Sequence, residues 1–521
     1  SGCPGAVTSF TFPRTEFMDN IDVPPGCTLT FRIHLEDRPM SDGVTAGGGL
    51  GRWMIHCHIF FHHHQGMASE LVVADATGNE RPYADANDPM VTVTEGSTAV
   101  MGGTISDPDG DTVALSASLG SVTDNGDGTW TWSHATTDGP GEEYVYVTAT
   151  DSRGNVGQAA FILVTQNAAP TVTLDPAQVT TLDEGQTLSV AATFSDPGDD
   201  DPYAATIDFG DGAGPQSVAA VLTSATPPQA GSLASSFTYG DNGAYAVTVA
   251  VTDKDGGTGT ASFTVTVGNV PPTAVIETVG PVLADVGDTV ALDGRATDPG
   301  SDDLTTTWSF DDGTADDVLV SLVNPPTPDG PLSPTVQPRD VEHDTAHEFA
   351  TACLYEVVFS AVDDDGGADS TSITVLVTAA PSESRGAGYW QHQYRGNGKL
   401  AFSEAQLLCY LELVGAMSNV FDEVRSAATI EQAFDDIFVA GLRGDQVEQL
   451  DRQLLTAWLN FANGGVELAE LVDTDGDHVP DTTFAAVMAA AEAVRLNPLS
   501  TRAEVEAQRD VLARVNARDG H

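Results

Sequence analysis

The sequence predicts a multidomain, mainly β chain: a short N-terminal β segment, three immunoglobulin-like β-sandwich repeats in series, then an all-α C-terminal module. Three observations carry this. At 521 residues the chain is several times the usual size of one domain. After Thr77, short alternating strands are separated by Asp/Gly/Pro turns whose wording recurs. From about Gly388 the apolar residues change to helical spacing. The expected boundaries are 1–78 for the N-terminal segment, 82–166, 167–268 and 269–380 for the repeats, and 386–521 for the helical module.

The N-terminal segment holds the run His56-Cys57-His58-Ile59-Phe60-Phe61-His62-His63-His64-Gln65-Gly66-Met67. Arg52-Trp53-Met54-Ile55 before it has strand character, so alternation sets Cys57 on one face and His56 and His58 on the other. Cys57, His62 and Met67 are the soft and borderline donors of a blue-copper electron-transfer site. His63 and His64 are extra, and such a tract also suits a solvated loop.

This pattern resembles the C-terminal copper signature of the multicopper oxidases. The flanks Asp22-Val23-Pro24-Pro25-Gly26, Cys27 to Leu35, and Leu71-Val72-Val73 resemble the strands around that signature. The copper nitrite reductases, a near relative, lack the second His after the Cys, and here His58 is present. The resemblance implies part of a cupredoxin sandwich and copper held by His56, Cys57, His58, His62 and Met67. It also implies an oxidoreductase that takes single electrons from phenols or metal ions and reduces oxygen to water. In that scheme Cys57 accepts the electron, and His56 and His58 lead to a second copper centre. The family's His-Pro-x-His-x-His segment does not precede His56, where only His34 stands. The start at Ser1-Gly2-Cys3, without Met, suggests a truncated or processed product. This chain alone is therefore expected to be inactive.

In the repeats, Ser106-Asp107-Pro108-Asp109-Gly110-Asp111 is echoed at Ser195 to Asp200 and again at Thr297 to Asp303. A second phrase recurs as Thr150-Asp151-Ser152-Arg153-Gly154, Thr252-Asp253-Lys254-Asp255-Gly256 and Val362-Asp363-Asp364-Asp365-Gly366. The spacing is near that of an immunoglobulin-like sandwich. Tyr245, Val247, Val249 and Val251 alternate as one core-facing side of a strand. Ile207 to Gly212 and Trp308 to Gly313 resemble the characteristic turn of PKD domains, and the linkers at Asn167 and Asn269 fit as well. The first repeat resembles a cadherin-like bacterial repeat more loosely. Asp and Gly suit tight turns without any metal. Calcium held by Asp196, Asp199, Asp253 and Asp255 is the alternative.

In the C-terminal module, Ser403 is placed to cap a helix through Leu407, Leu411 and Val414, and Asp445 one that stops at Gly464-Gly465. Two more helices are expected over Thr483 to Leu496 and Arg502 to Val515. Gly388-Tyr389-Trp390 with Leu459 to Gly464 resembles a helical module appended to secreted bacterial repeat proteins. Asp473, Asp475, Asp477 and Asp481 resemble a calcium loop of thrombospondin type 3 or EF-hand kind, although His478 and Phe484 depart from the EF-hand pattern. His343, His347 and His392 lack ligand spacing and are expected at the surface.

With Lys+Arg 20 against Asp+Glu 76, the net charge is -56, which argues against nucleic acid or anionic membrane as partners. The five cysteines form no regular framework. Cys3 and Cys27 allow a bridge, and Cys353 and Cys409 are expected as small buried apolar residues. The expectation is a secreted or cell-surface protein. Its partners would be a phenol or metal-ion substrate with oxygen if the copper site were completed, and extracellular protein or carbohydrate through the repeats. The rival reading is a non-catalytic, calcium-dependent adhesion or structural protein with a remnant copper motif.

Overall fold

The computed structural model describes residues 38–56, 68–323, 336–395, 399–421, 429–430 and 445–517. Near the N-terminus, strand Gly51–His56 pairs antiparallel with Ala68–Val73, with His56 opposite Ala68. Arg52 on this hairpin forms ion pairs with Glu70 and Glu80, both at 3.1 Å.

The first sandwich faces two four-stranded sheets across a core of Trp130, Trp132, Val145, Val147 and Phe161. Its strand Met90–Thr94 pairs parallel with the last strand, Val156–Gln166, so the turn after Thr94 lies at the end of the sandwich that meets the next repeat. The second sandwich repeats the plan: Thr181–Asp183 runs parallel to Thr258–Gly268, and Asp183 is followed by Glu184-Gly185. Tyr245, Val247, Val249 and Val251 are buried while their neighbours are not, as strand alternation requires. Burying such side chains supplies about 1.5–3 kcal/mol each. The third sandwich has the same parallel pair, Val282–Asp285 against Ala368–Thr378, around Trp308, Val357, Phe359 and Val375.

The helical module contains α1 (Ala387–Tyr394), α2 (Glu404–Met417), α3 (Gln446–Ala462), α4 (Phe484–Leu496) and α5 (Arg502–Ala517). Ser403 caps α2, Thr483 caps α4, and Asp445 with Glu448 forms a capping box on α3. Helix α1 escapes sequence reading because its eight residues span barely two turns.

Two expectations are corrected. Cys353 and Cys409 form a disulfide across a sequence separation of 56. Spacing could not show this, because the loop before strand Leu354–Val362 meets α2 only in the folded chain. His343 and His347 are not surface residues. His343 is buried, with Nδ1 2.9 Å from Thr306 Oγ1, and the His347 ring stacks on Phe310 with Nε2 2.8 Å from Asp312. His392 is exposed. The helices also share a core with the third sandwich: Ala352 and Leu376 belong to the cluster built on Trp390, Tyr410 and Trp458, and Val286 packs against it.

Candidate metal centres

The copper-type residues Cys57, His58, His62 and Met67 lie outside the described residues, as do Cys3, Cys27, His34 and the Asp22 to Leu35 flank. His56 ends its strand, and its side chain is also outside them. The described flanks do fix one thing. Because His56 pairs with Ala68, the connection carrying Cys57, His62 and Met67 begins and ends at neighbouring positions. A thiolate, an imidazole and a thioether on one closed connection form a donor set suited to copper.

The calcium-type residues of the repeats are described in full. Asp196 is buried, its Oδ1 accepting from the Gly198 amide at 2.9 Å while Oδ2 accepts no hydrogen bond. Asp253 accepts from the amides of Asp255 and Gly257 and from Asn167 Nδ2. Asp199 Oδ1 accepts from Gln229 Nε2, and Asp255 pairs with Lys254 at 2.9 Å. The two Asp loops do meet: the Lys254 amide donates to Asp200 O at 3.2 Å and its ammonium to Asp199 O at 2.7 Å.

Sequence reasoning missed the residues that complete this place. Glu95, from the first sandwich, is 2% exposed and lies in the turn after Met90–Thr94. Its Oε1 accepts from the Ala168 amide, and its Oε2 has no partner. Asp200 is 0% exposed, and Lys254 reaches it and Asp138 of the first sandwich at 2.7 Å each. Burial, then the Asp200 carboxylate, pushes Glu95 up to about 7; burial, then Asp200 as well, pushes Asp196 up to about 6. Burial works against the Lys254 charge, but its bonds to Asp138, Asp200 and Asp255 outweigh this and hold it well above the usual lysine value. The usable signal was the recurring Glu-Gly pair, Glu95-Gly96 and Glu184-Gly185. Each glycine has φ near +73°, and a Cβ there would stand 2.5 Å from Pro197 or 2.8 Å from Pro299 in the following sandwich.

The same arrangement recurs between the second and third sandwiches. Glu184 is 1% exposed, its Oε1 accepting from the Val270 amide while Oε2 lacks a partner. It faces Asp298 and Asp302, both buried. Burial, then neighbouring carboxylates, pushes Glu184 up to about 7 and Asp302 up to about 9.

In the loop of Asp473, Asp475, Asp477 and Asp481 the last three are exposed and Asp473 is half-buried, and the loop is knitted by its own turns. Asp473 accepts from the amides of Asp475, Gly476 and His478, Asp475 from Asp477, and Asp477 from Val479. Both Asp481 oxygens accept from Thr474 Oγ1. Hydrogen bonds, led by the Gly476 amide, hold Asp473 below the usual carboxylate range.

Comparison with known proteins divides the chain as the motifs do. Residues 7–77 match the multicopper oxidase family, 79–164 the bacterial Ig domain and 167–267 the PKD domain. The chain is a mosaic. It carries a short multicopper oxidase segment, bacterial Ig and PKD domains, and a helical C-terminal region. No curated protein matches it. Similar solved structures include the tetra-tandem repeat in the extending region of a large adhesion protein, 17% identical over 57% of this chain and 74% of that one, with a TM-score of 0.30. Others are an ICAM-5 D1–D4 ectodomain fragment, at 14%, 58%, 79% and 0.26, and fibronectin(III)-like modules of Clostridium thermocellum CbhA, at 16%, 40%, 95% and 0.16. At such scores these likenesses carry no argument, and the sandwich assignment rests on the strand pairing itself. Ig-type and PKD repeats with a disulfide are features of extracellular or surface proteins. Among the described residues, no helix is long and apolar enough to cross a membrane.

Proposed function

We propose that this chain is secreted or held at the cell surface and carries the copper-ligating end of a multicopper oxidase on a stack of extracellular sandwiches. The observation that carries the reading is the family match over 7–77 together with the Cys57, His62 and Met67 donor set. Cys57 would provide the thiolate, His62 the imidazole and Met67 the weak axial thioether, with His56 and His58 as imidazoles for the second copper centre. Copper, when bound, supplies one-electron chemistry, with phenols or metal ions as donors and oxygen as acceptor. Oxygen reduction calls for more imidazoles than these, so turnover by this chain alone is not expected. The chain's own residues bind and orient the metal. The repeats contribute spacing and a surface for extracellular protein or carbohydrate.

The test is copper retention by the full chain after dialysis, read with the visible absorption of a thiolate–copper bond. Wild type should retain copper and show the band, and Cys57→Ser should lose the band. Equal retention in Cys57→Ser and His62→Ala, with no band in wild type, would assign the metal to the His63-His64 tract and sink the proposal. A second reading, a non-catalytic calcium-dependent surface protein, is favoured by the buried carboxylates between sandwiches. Calcium at Asp196, Asp199, Asp253 and Asp255 and at the Asp473 loop belongs to that reading. It predicts a lower melting midpoint in chelator than in calcium at matched ionic strength.

A further inference from the structure

Three junctions in this chain are built on one plan, and they differ at one position. At each, a linker asparagine donates through Nδ2 to the first aspartate of the second recurring phrase: Asn79 to Asp151, Asn167 to Asp253 and Asn269 to Asp363. At each, the first phrase sets a second aspartate nearby: Asp111, Asp200 and Asp302. The residues just after Asp151, Asp253 and Asp363 decide what faces it. In the first sandwich Arg153 stands 3.4 Å from Asp111. In the second, Lys254 stands 2.7 Å from Asp200. In the third the corresponding residues are Asp364 and Asp365. Where the first two junctions carry a protein cation, the third adds two more carboxylates.

We infer that the junction between the second and third sandwiches is a divalent-cation site, centred on Asp302, in which a bound calcium ion does what Lys254 does one repeat earlier. The geometry supports this independently of the charge count. One carboxylate oxygen of Asp302 lies within 4.8 Å of those of Glu184 and Asp241; the same holds with Asp298 and Asp363, and with Asp364 and Asp365. Asp302 is common to all three groups. Glu184 Oε2, Asp298 Oδ2 and Asp302 Oδ2 are buried and accept no hydrogen bond, although their residues are 1%, 3% and 2% exposed. A buried charge without a partner is costly, so carboxylates gathered on Asp302 require a cation or protons. Glu95 Oε2, Asp196 Oδ2 and Asp200 Oδ2 are bare in the same way at the second junction, but there the Lys254 charge stands on the other oxygen of Asp200. Arg339 lowers the proton affinity of Asp298, but its Nη2 donates to Ser321 and its buried Nε has no partner, so no hydrogen bond from it to these carboxylates is found among the described residues. An all-oxygen, carboxylate-rich set contributed by two domains suits calcium, whose coordination is larger and more flexible than that of magnesium.

The site also explains a residue exchange at the next junction. The position of Glu95 and Glu184 is occupied by Val286, which packs against the helical core, and the disulfide closes that interface. Where no acidic loop follows, no acid is supplied.

The inference needs no copper, so its test is separable from that of the copper reading. Calcium alone is titrated into the full chain by calorimetry up to millimolar concentration, the range in which extracellular modules bind, roughly 10⁻⁴–10⁻³ M. Asp302→Asn should lose a class of sites relative to wild type. Asp364→Lys copies the second sandwich's solution. It should lose the same sites yet melt higher than wild type in chelator, because its ammonium replaces the ion. Loss in both variants, with the higher melting point in Asp364→Lys, supports the proposal even if Asp302→Asn folds poorly. Unchanged calcium stoichiometry and affinity in Asp364→Lys would overturn it, as would a melting point in chelator no higher than that of wild type.

Discussion

Replacing Cys353 and Cys409 together by alanine should release the helical module from the third sandwich more readily than any surface change. The bond closes a loop across a sequence separation of 56. With the chain-entropy relation, closing such a loop removes roughly 14 cal/mol/K from the unfolded state, or about 4 kcal/mol at 25 °C. Alanine keeps the apolar character of the place without leaving a lone thiol beside Glu412, so the change tests the cross-link itself. Among the described residues, α1 to α5 all lie in this module, so helical circular dichroism reports its unfolding. With a urea dependence of about 1–3 kcal/mol per molar, the midpoint should fall by roughly 1.3–4 M. The wild type in reductant should coincide with the double variant. The contacts of Ala352, Leu376 and Val286 with the helical core remain in both, so the module should still dock at low urea. A midpoint unchanged by both treatments, or ready labelling of both thiols in the unreduced chain, would refute the reasoning.

Glu95, Glu184, Asp196 and Asp302 all have folded proton affinities above those of unfolded carboxylates, which sit near about 4. Between that value and the folded values of about 6 to about 9, the folded chain binds more protons than the unfolded one. Their contribution to stability is therefore full at low pH and is lost as pH rises through this window. In chelator the melting midpoint should fall from pH 5 to pH 9, and saturating calcium should flatten the curve; a flat profile in chelator would count against the buried carboxylates. Gly185→Ala forces a side chain into a positive-φ turn with its Cβ 2.8 Å from Pro299 O, where the backbone part alone costs about 1–2 kcal/mol. Gly256→Ala, also at positive φ but with nothing within 4 Å, is the control and should show the smaller loss in thermal unfolding. Lys254→Met removes the cation from buried Asp200 and should cost about 3–5 kcal/mol in chelator, with partial recovery in calcium. Equal melting points for Lys254→Met and wild type in chelator would show that the ion pair does not hold that junction.

Local rules make much of this protein legible without coordinates. Alternation put Tyr245, Val247, Val249 and Val251 on one side of a strand because neighbouring side chains in a strand point opposite ways. Ser403 and Asp445 announced α2 and α3 because a helix start leaves amides that a short polar side chain can satisfy. The spacing of Cys57, His62 and Met67 pointed to the multicopper oxidase family for the same local reason: few other chemistries need those donors within one connection. What the sequence left open depends on how rigid bodies dock. Glu95 and Glu184 are separated from the carboxylates they face by whole strands, and only the seating of Gly96 on Pro197 and Gly185 on Pro299 brings them together. The Cys353–Cys409 bond likewise joins a loop and a helix that meet only after the sandwich and the helices have packed. Sequence alone determines which residues carry charge, sulfur or a turn. The exclusion of water at each junction is a property of the assembled fold, and it separates the exposed Asp475 and Asp477 from the buried Asp302, whose Oδ2 accepts no hydrogen bond.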